Sequence, residues 1–105
     1  MDINRFTEKA QEAIRSAQSK AVRYGQQQIE PEHLLAALFE QENGLAPSIL
    51  NKAGVNVDTL ARRLEAELDR LPKVSGPSAG PDQVYISSRL NRVLTNAEDE
   101  AKKLK

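Results

Sequence analysis

The side chains with the greatest capacity for chemistry in this sequence are the single histidine, His33, and the carboxylate beside it, Glu32. Histidine and glutamate are both ligands that metal ions use in proteins. Neighbouring residues on a helix point about 100° apart, however, and no third ligand follows at a suitable spacing. His33 is better explained as a side chain that packs inside the domain or caps a helix. We therefore predict no metal site in this chain.

Residues with hydroxyl groups lack the neighbours that nucleophilic catalysis requires. A serine or threonine becomes a nucleophile when a base lies within hydrogen-bond reach, and nothing in the sequence places one there. The phosphate-binding pattern GxxxxGK[ST] and the dinucleotide-binding pattern GxGxxG do not occur in the sequence. We therefore expect no catalytic residues, and we predict that the chain is not an enzyme.

Two polar residues at predicted helix starts are the candidate recognition residues. Thr7 precedes an amphipathic run, so its hydroxyl is suited to accept a hydrogen bond as an N-cap. Glu32 lies in the first turn of the next helix, where a carboxylate complements the helix dipole. Both residues thus have a purely structural explanation. The alternative is that both offer polar recognition beside an apolar groove, although the sequence does not place them in contact.

The elements that must position these residues are helices. Apolar residues recur at helical spacing in five runs, and glycine or proline separates successive runs. The second run is apolar on most sides, which predicts the most buried helix, and the third presents an inner edge that includes Ile49. The first predicted helix lies between Thr7 and Gly25, the second begins at Pro31 and ends at Asn43-Gly44, and the third runs from Ala46 to Ala53. The fourth begins at Asn56 or Asp58 and ends at Leu71, and the fifth begins at Ser87.

Composition restricts the class of protein further. The chain has 105 residues with 39% hydrophobic residues, which fits one small domain, and 15 basic residues balance 15 acidic ones. Zero net charge argues against a nucleic-acid partner, because phosphate binding depends on a basic surface. No apolar run approaches the roughly 20 residues of a membrane span, and there is no cysteine. We expect an all-α, cytoplasmic protein without a membrane partner.

An internal repeat links the two ends of the chain. Residues 6–24 and 86–104 carry the same apolar pattern at a constant offset of 80, with Thr7 aligned to Ser87. Repeats of this kind identify architectures built from copies of one unit. We therefore predict three parts, a four-helix unit over 1–71, a proline- and glycine-rich linker over 72–84, and the first helix of an incomplete second copy over 85–105.

Three segments resemble the N-terminal domain of the Clp ATPases, a tandem of two four-helix Clp repeats. Residues 5–10 (RFTEKA) are similar to the start of its first helix, and residues 29–38 (IEPEHLLAAL) to its second. Residues 71–76 (LPKVSG) resemble the connector of ClpB-type disaggregases. The resemblance covers the whole chain, and it implies that ATP and Mg²⁺ belong only to ATPase modules downstream.

The resemblance also implies a function. It suggests a domain that engages unfolded or aggregated polypeptide for delivery to a homo-hexameric ATPase ring, in collaboration with a DnaK-type chaperone. Thr7 and Glu32 match family positions associated with substrate or partner recognition. The alternatives are an adaptor-docking domain of a protease-coupled ClpA or ClpC unfoldase and a helical oligomerisation scaffold without a ligand. We expect the fifth helix either to fold back on the first unit or to exchange with a second copy as a dimer.

Overall fold

The computed structural model describes residues 6–41, 44–73 and 84–104. These residues form five helices and two very short strands, which confirms the predicted all-α class. Asn43 and residues 74–83 of the predicted linker lie outside the described residues. The elements are α1 (Glu8–Arg23), β1 (Gln28–Ile29), α2 (Pro31–Glu40), α3 (Ala46–Lys52), α4 (Val57–Arg70), β2 (Tyr85–Ile86) and α5 (Ser88–Leu104).

Side-chain caps define the starts of three helices. The Thr7 hydroxyl accepts a hydrogen bond from the Ala10 N–H at 3.1 Å, and the Ser87 hydroxyl accepts one from the Leu90 N–H at the same distance. Residues 7 and 87, which the repeat aligns, therefore both act as N-caps. At α4 the cap is Asn56, whose side-chain oxygen accepts the Thr59 N–H at 3.0 Å. These hydroxyl and amide oxygens satisfy N–H groups that the first helical turn leaves unpaired.

Two apolar clusters share α2, which explains why this helix is the least exposed. The larger cluster joins α1, β1, α2 and α5, and the smaller joins α2 to α4. Every residue of α2 except Glu40 is buried or half-buried, as its sequence predicts. The larger cluster contains Ile14, Ala17, Ala21, Ile29, Ala37, Leu90 and Leu94, and the smaller contains Ala36, Leu64 and Leu68.

Helix α5 folds back on α1, β1 and α2. Leu90 and Leu94, at 0% and 4% exposure, are members of the larger cluster. Val93 is 44% exposed, whereas Ala13, its counterpart in α1, is fully buried. Only part of the apolar face of α5 is therefore covered by the described residues. Whether copies of the chain also exchange this helix stays a prediction.

The segment just before α5 pairs with β1 as a parallel strand of two residues. The sequence did not predict this pair. Gln28 pairs with Tyr85 and Ile29 with Ile86. The Ser87 N–H continues the ladder by donating to the Ile29 carbonyl at 3.1 Å. Strands this short carry no periodicity of their own, so only the fold reveals them.

Candidate functional site

Thr7 lies at the exposed first turn of α1. Its hydroxyl accepts the Ala10 N–H, so the side chain is held in one orientation. The same turn contacts the end of α2, because the Gln41 side chain donates to the Lys9 carbonyl at 2.8 Å. A hydroxyl that accepts one hydrogen bond still has a proton to donate. Thr7 can therefore serve as a cap and as a donor to a ligand.

An open cleft of about 220 Å³, which we call the α1–α3 cleft, begins next to this turn. Two leucines and two alanines form much of its surface. Leu45 at its edge is 73% exposed, and Ile49, one turn along α3, is 61% exposed. No described residue of α3 is buried. The lining residues are Lys9, Ala10, Leu38, Gln41, Gly44, Leu45 and Ala46.

The exposure of Ile49 overturns the expectation that it belongs to an inner edge of the third helix. The helix has only seven residues, and its contacts with α2 and α4 leave that side chain outside both apolar clusters. Leu45 and Ile49 therefore leave two apolar side chains exposed one helical turn apart.

Glu32 occupies a different place, at the junction of α2 and α5. Arg89 donates to its carboxylate at 3.2 Å, and also to the carboxylate of Glu30 at 3.4 Å. Glu30 accepts a further hydrogen bond from the Ser87 hydroxyl at 2.8 Å. The Arg89 side chain is 59% exposed, so its ion pairs contribute modestly, about 0–1 kcal/mol each. These contacts join the start of α5 to the start of α2.

The structure does not bring the two predicted site residues together. The first turn of α1, with Thr7, contacts the end of α2, whereas Glu32 is in the first turn of that helix. No hydrogen bond joins Thr7 to Glu32 among the residues that the structure describes. Sequence reasoning also missed Arg89 and Leu45. The sequence offered one weak indication of each. Arg89 is a cation two residues after the predicted cap Ser87, and Leu45 is an apolar residue just before a helix start that contains proline.

His33 is fully buried and joins three segments through hydrogen bonds. Its Nδ1 accepts the Glu30 N–H at 2.8 Å, and its Nε2 lies 2.5 Å from the Gln26 side-chain oxygen. Because Nδ1 accepts, the proton is assigned to Nε2, which donates to Gln26. The Gln26 amide in turn donates to the Leu68 carbonyl at 2.6 Å. This network confirms that His33 packs inside the domain and caps α2.

Acidification is expected to destabilise the domain through His33. Burial lowers the pKa of His33 below its ordinary value, although the charges of Glu30 and Glu32 oppose the shift and Lys20 adds to it. In the unfolded chain the imidazole takes up a proton below about pH 6.5, which the folded state resists. The stabilising contribution is therefore complete above that pH and is lost as the pH falls through the lowered pKa. Urea unfolding at pH 7.5 and 5.5 should show this loss.

A His33→Gln variant is the control for this pH dependence. It should show a smaller difference in unfolding free energy between the two pH values than the unmodified chain. Equal differences in the two proteins would contradict the assignment.

The described residues contain no group of three or more His, Cys, Asp or Glu side chains arranged to hold a metal ion. Within the same part of the chain, none of the helices combines the length and apolarity needed to cross a bilayer. The α1–α3 cleft is also smaller than the roughly 300–1,000 Å³ of typical small-molecule sites. Its size and exposed apolar edge suit side chains of another polypeptide.

Comparison with known proteins identifies relatives of the whole chain. The chain is 50% identical over its full length to the chaperone protein ClpB of Nitratidesulfovibrio vulgaris. It is 42% identical to ClpB of Clostridium tetani over its full length, and 42% identical to ClpB of Brucella suis over 98% of it. The chain spans 12%, 12% and 11% of the length of these relatives.

The match to a family covers nearly the whole sequence. Residues 5–105 match the Clp repeat (R) N-terminal domain. That range includes every described helix, the cap pair Thr7 and Ser87, and the buried His33. This chain belongs to the family of Clp repeat N-terminal domains.

Proposed function

We propose that this chain is the polypeptide-engaging N-terminal module of a ClpB-type ATP-dependent disaggregase. It captures unfolded or aggregated polypeptide and passes it to the ATPase ring. The observation that carries the proposal is the apolar α1–α3 cleft together with two exposed side chains, Leu45 at its edge and Ile49 one turn along α3, at 73% and 61% exposure. Unfolded chains are distinguished from folded ones by accessible apolar side chains. A shallow apolar surface recognises them without requiring one particular sequence.

Thr7 and Glu32 supply polar recognition in this proposal. Thr7 is adjacent to the α1–α3 cleft and has a hydroxyl proton available for a backbone carbonyl of the client. Glu32 is already paired with Arg89, so a cationic side chain of a client would compete with that arginine. The two residues act at separate places, and their contributions should be independent.

Several properties of the whole protein belong to the same proposal. The parent chaperone is a cytoplasmic homo-hexamer that works with a DnaK-type chaperone system, and its ATP and Mg²⁺ are bound by ATPase modules outside this chain. The domain itself needs no cofactor, contacts polypeptide only and catalyses no reaction. An exchange of α5 between two copies of the chain would double the mass measured by light scattering.

Substitution of the two candidate residues tests the site. We expect Thr7→Ala and Glu32→Lys each to weaken binding of reduced, carboxymethylated α-lactalbumin about fivefold, because each loses or reverses a polar contact worth about 1 kcal/mol. Fluorescence anisotropy with labelled α-lactalbumin measures the change. Loss of the Thr7 cap also costs about 1 kcal/mol of stability, so circular dichroism must confirm folding at the assay temperature.

Two exposed residues of α4 provide matched controls for these substitutions. Thr59→Ala and Glu67→Lys make the same chemical changes away from the α1–α3 cleft and the Arg89 junction. Both should bind as the unmodified chain does. If all four variants bind alike, Thr7 and Glu32 are not site residues. If the unmodified chain does not bind, the helical-scaffold alternative replaces the proposed function.

A further inference from the structure

A second groove lies on another side of α2, between the end of α1 and helix α4. It encloses about 250 Å³, and we call it the α2–α4 groove. Helix α4 packs on α2 through the smaller apolar cluster, which leaves a gap between α4 and the end of α1. The lining residues are Lys20, Tyr24, Ala36, Phe39, Glu40, Val57, Asp58, Ala61, Leu64, Glu65 and Leu68.

The base of the α2–α4 groove is apolar. Ala36, Leu64 and Leu68 are buried there, and the half-buried rings of Tyr24 and Phe39 pack against them. The volume is again below the range typical of small-molecule sites, about 300–1,000 Å³. It is sufficient for one or two apolar side chains inserted from a peptide.

The rim of the groove is predominantly acidic. Glu40, Asp58 and Glu65 line it with one ammonium group, that of Lys20, which is paired with Glu40. Neither Asp58 nor Glu65 forms an ion pair with another described residue. Both are on α4, seven residues apart, with Ala61 between them on the same face. The α4 residues that line the groove therefore present two carboxylates above an apolar base, with Arg62 next to them on the helix.

We infer that the α2–α4 groove binds peptide segments in which an apolar side chain adjoins lysine or arginine. The inference rests on the proposed function and specifies which clients this surface selects. The apolar side chain enters between Phe39 and Ala61, and the neighbouring cation approaches Glu65 and Asp58. Complementary charge contributes specificity and faster association more than raw affinity. Acidic segments, by the same argument, are disfavoured here.

A titration of the folded, ¹⁵N-labelled chain with two matched peptides tests the inference. Both peptides carry the core Leu-Leu-Phe-Leu, one flanked by lysines and the other by glutamates. We expect the lysine peptide to bind at least fivefold more tightly at low salt and to shift the amide signals of Ala61 and Glu65. Glu65→Lys should weaken its binding about fivefold. Glu67→Lys, the same change on the same helix but outside the groove, should leave binding unchanged.

The outcomes separate this inference from the proposed function. Equal binding of the two peptides, or equal effects of Glu65→Lys and Glu67→Lys, would overturn the inference. Binding of α-lactalbumin by the unmodified chain, measured in parallel, would then still support client capture. If α-lactalbumin and both peptides fail to bind, the inference and the proposed function both fail. Signal shifts confined to α3 with the lysine peptide would assign its binding to the α1–α3 cleft and contradict the groove.

Discussion

Replacing Leu90 with alanine is expected to lower the free energy of unfolding by about 3 kcal/mol. Leu90 has no exposed surface and belongs to the cluster that joins α1, β1, α2 and α5. Truncation removes its apolar contacts and leaves a cavity that helices on several sides prevent from closing. The loss is a large part of the 5–15 kcal/mol that stabilises a typical domain. Urea unfolding followed by circular dichroism measures it.

Leu104→Ala is the matched control for this experiment. Leu104 belongs to the same helix and is 82% exposed, so its truncation should change the unfolding free energy by less than about 0.5 kcal/mol. Comparable effects of the two substitutions would mean that α5 does not pack on the first four helices in solution.

Replacing His33 with alanine is expected to cost a similar amount, about 3 kcal/mol. The substitution removes a fully buried side chain and leaves two groups without their partner, the Glu30 N–H and the Gln26 side-chain oxygen. An unsatisfied buried polar group is costly because it has given up water without gaining a hydrogen bond. Thermal and urea unfolding at pH 7.5 measure the effect under conditions in which the imidazole is neutral.

A double-mutant cycle with Gln26→Ala shows whether the network acts as a unit. If Gln26 is held between His33 and the Leu68 carbonyl, its removal should cost less in the His33→Ala background than in the unmodified chain. Additive losses would contradict the coupling. The His33 substitution would then act through lost packing alone.

Helix caps and helix ends could be predicted from sequence because they depend on neighbouring residues. Thr7, Ser87 and Asn56 each bond to an N–H three residues ahead. Gly25 and Gly54 end helices with positive φ angles of 71° and 85°, which glycine adopts without strain. These interactions are local, so the amino-acid pattern contains the information for them.

Contacts between distant segments could not be predicted in the same way. Arg89 reaches Glu32 across 57 positions of sequence, and Gln28 pairs with Tyr85 across the predicted linker. The apolar pattern of α5 identified Leu90, Val93, Leu94 and Leu104 as residues that need a partner, but only Leu90 and Leu94 are buried, and the pattern did not show which helices cover them. That choice depends on how α1 and α2 cross, a property of the packed core.

The candidate site shows the same division. Thr7 was placed at a helix start from sequence, and the structure has it there as the N-cap of α1. The ion pair that occupies Glu32 and the outward position of Ile49 depend on packing between helices, so the sequence did not disclose them. Proximity of Thr7 and Glu32 was left open by the pattern, and the fold places them near different ends of α2.

Capture of unfolded polypeptide is tested most directly by a titration. Labelled α-lactalbumin, reduced and carboxymethylated so that it stays unfolded, is titrated with the unmodified chain. We predict saturable binding with a micromolar Kd, and competition by an excess of unlabelled α-lactalbumin. The native, disulfide-bonded form of α-lactalbumin should not compete, because its apolar side chains are buried. Absence of binding to the unfolded form, or equal binding of the unfolded and native forms, would contradict the claim.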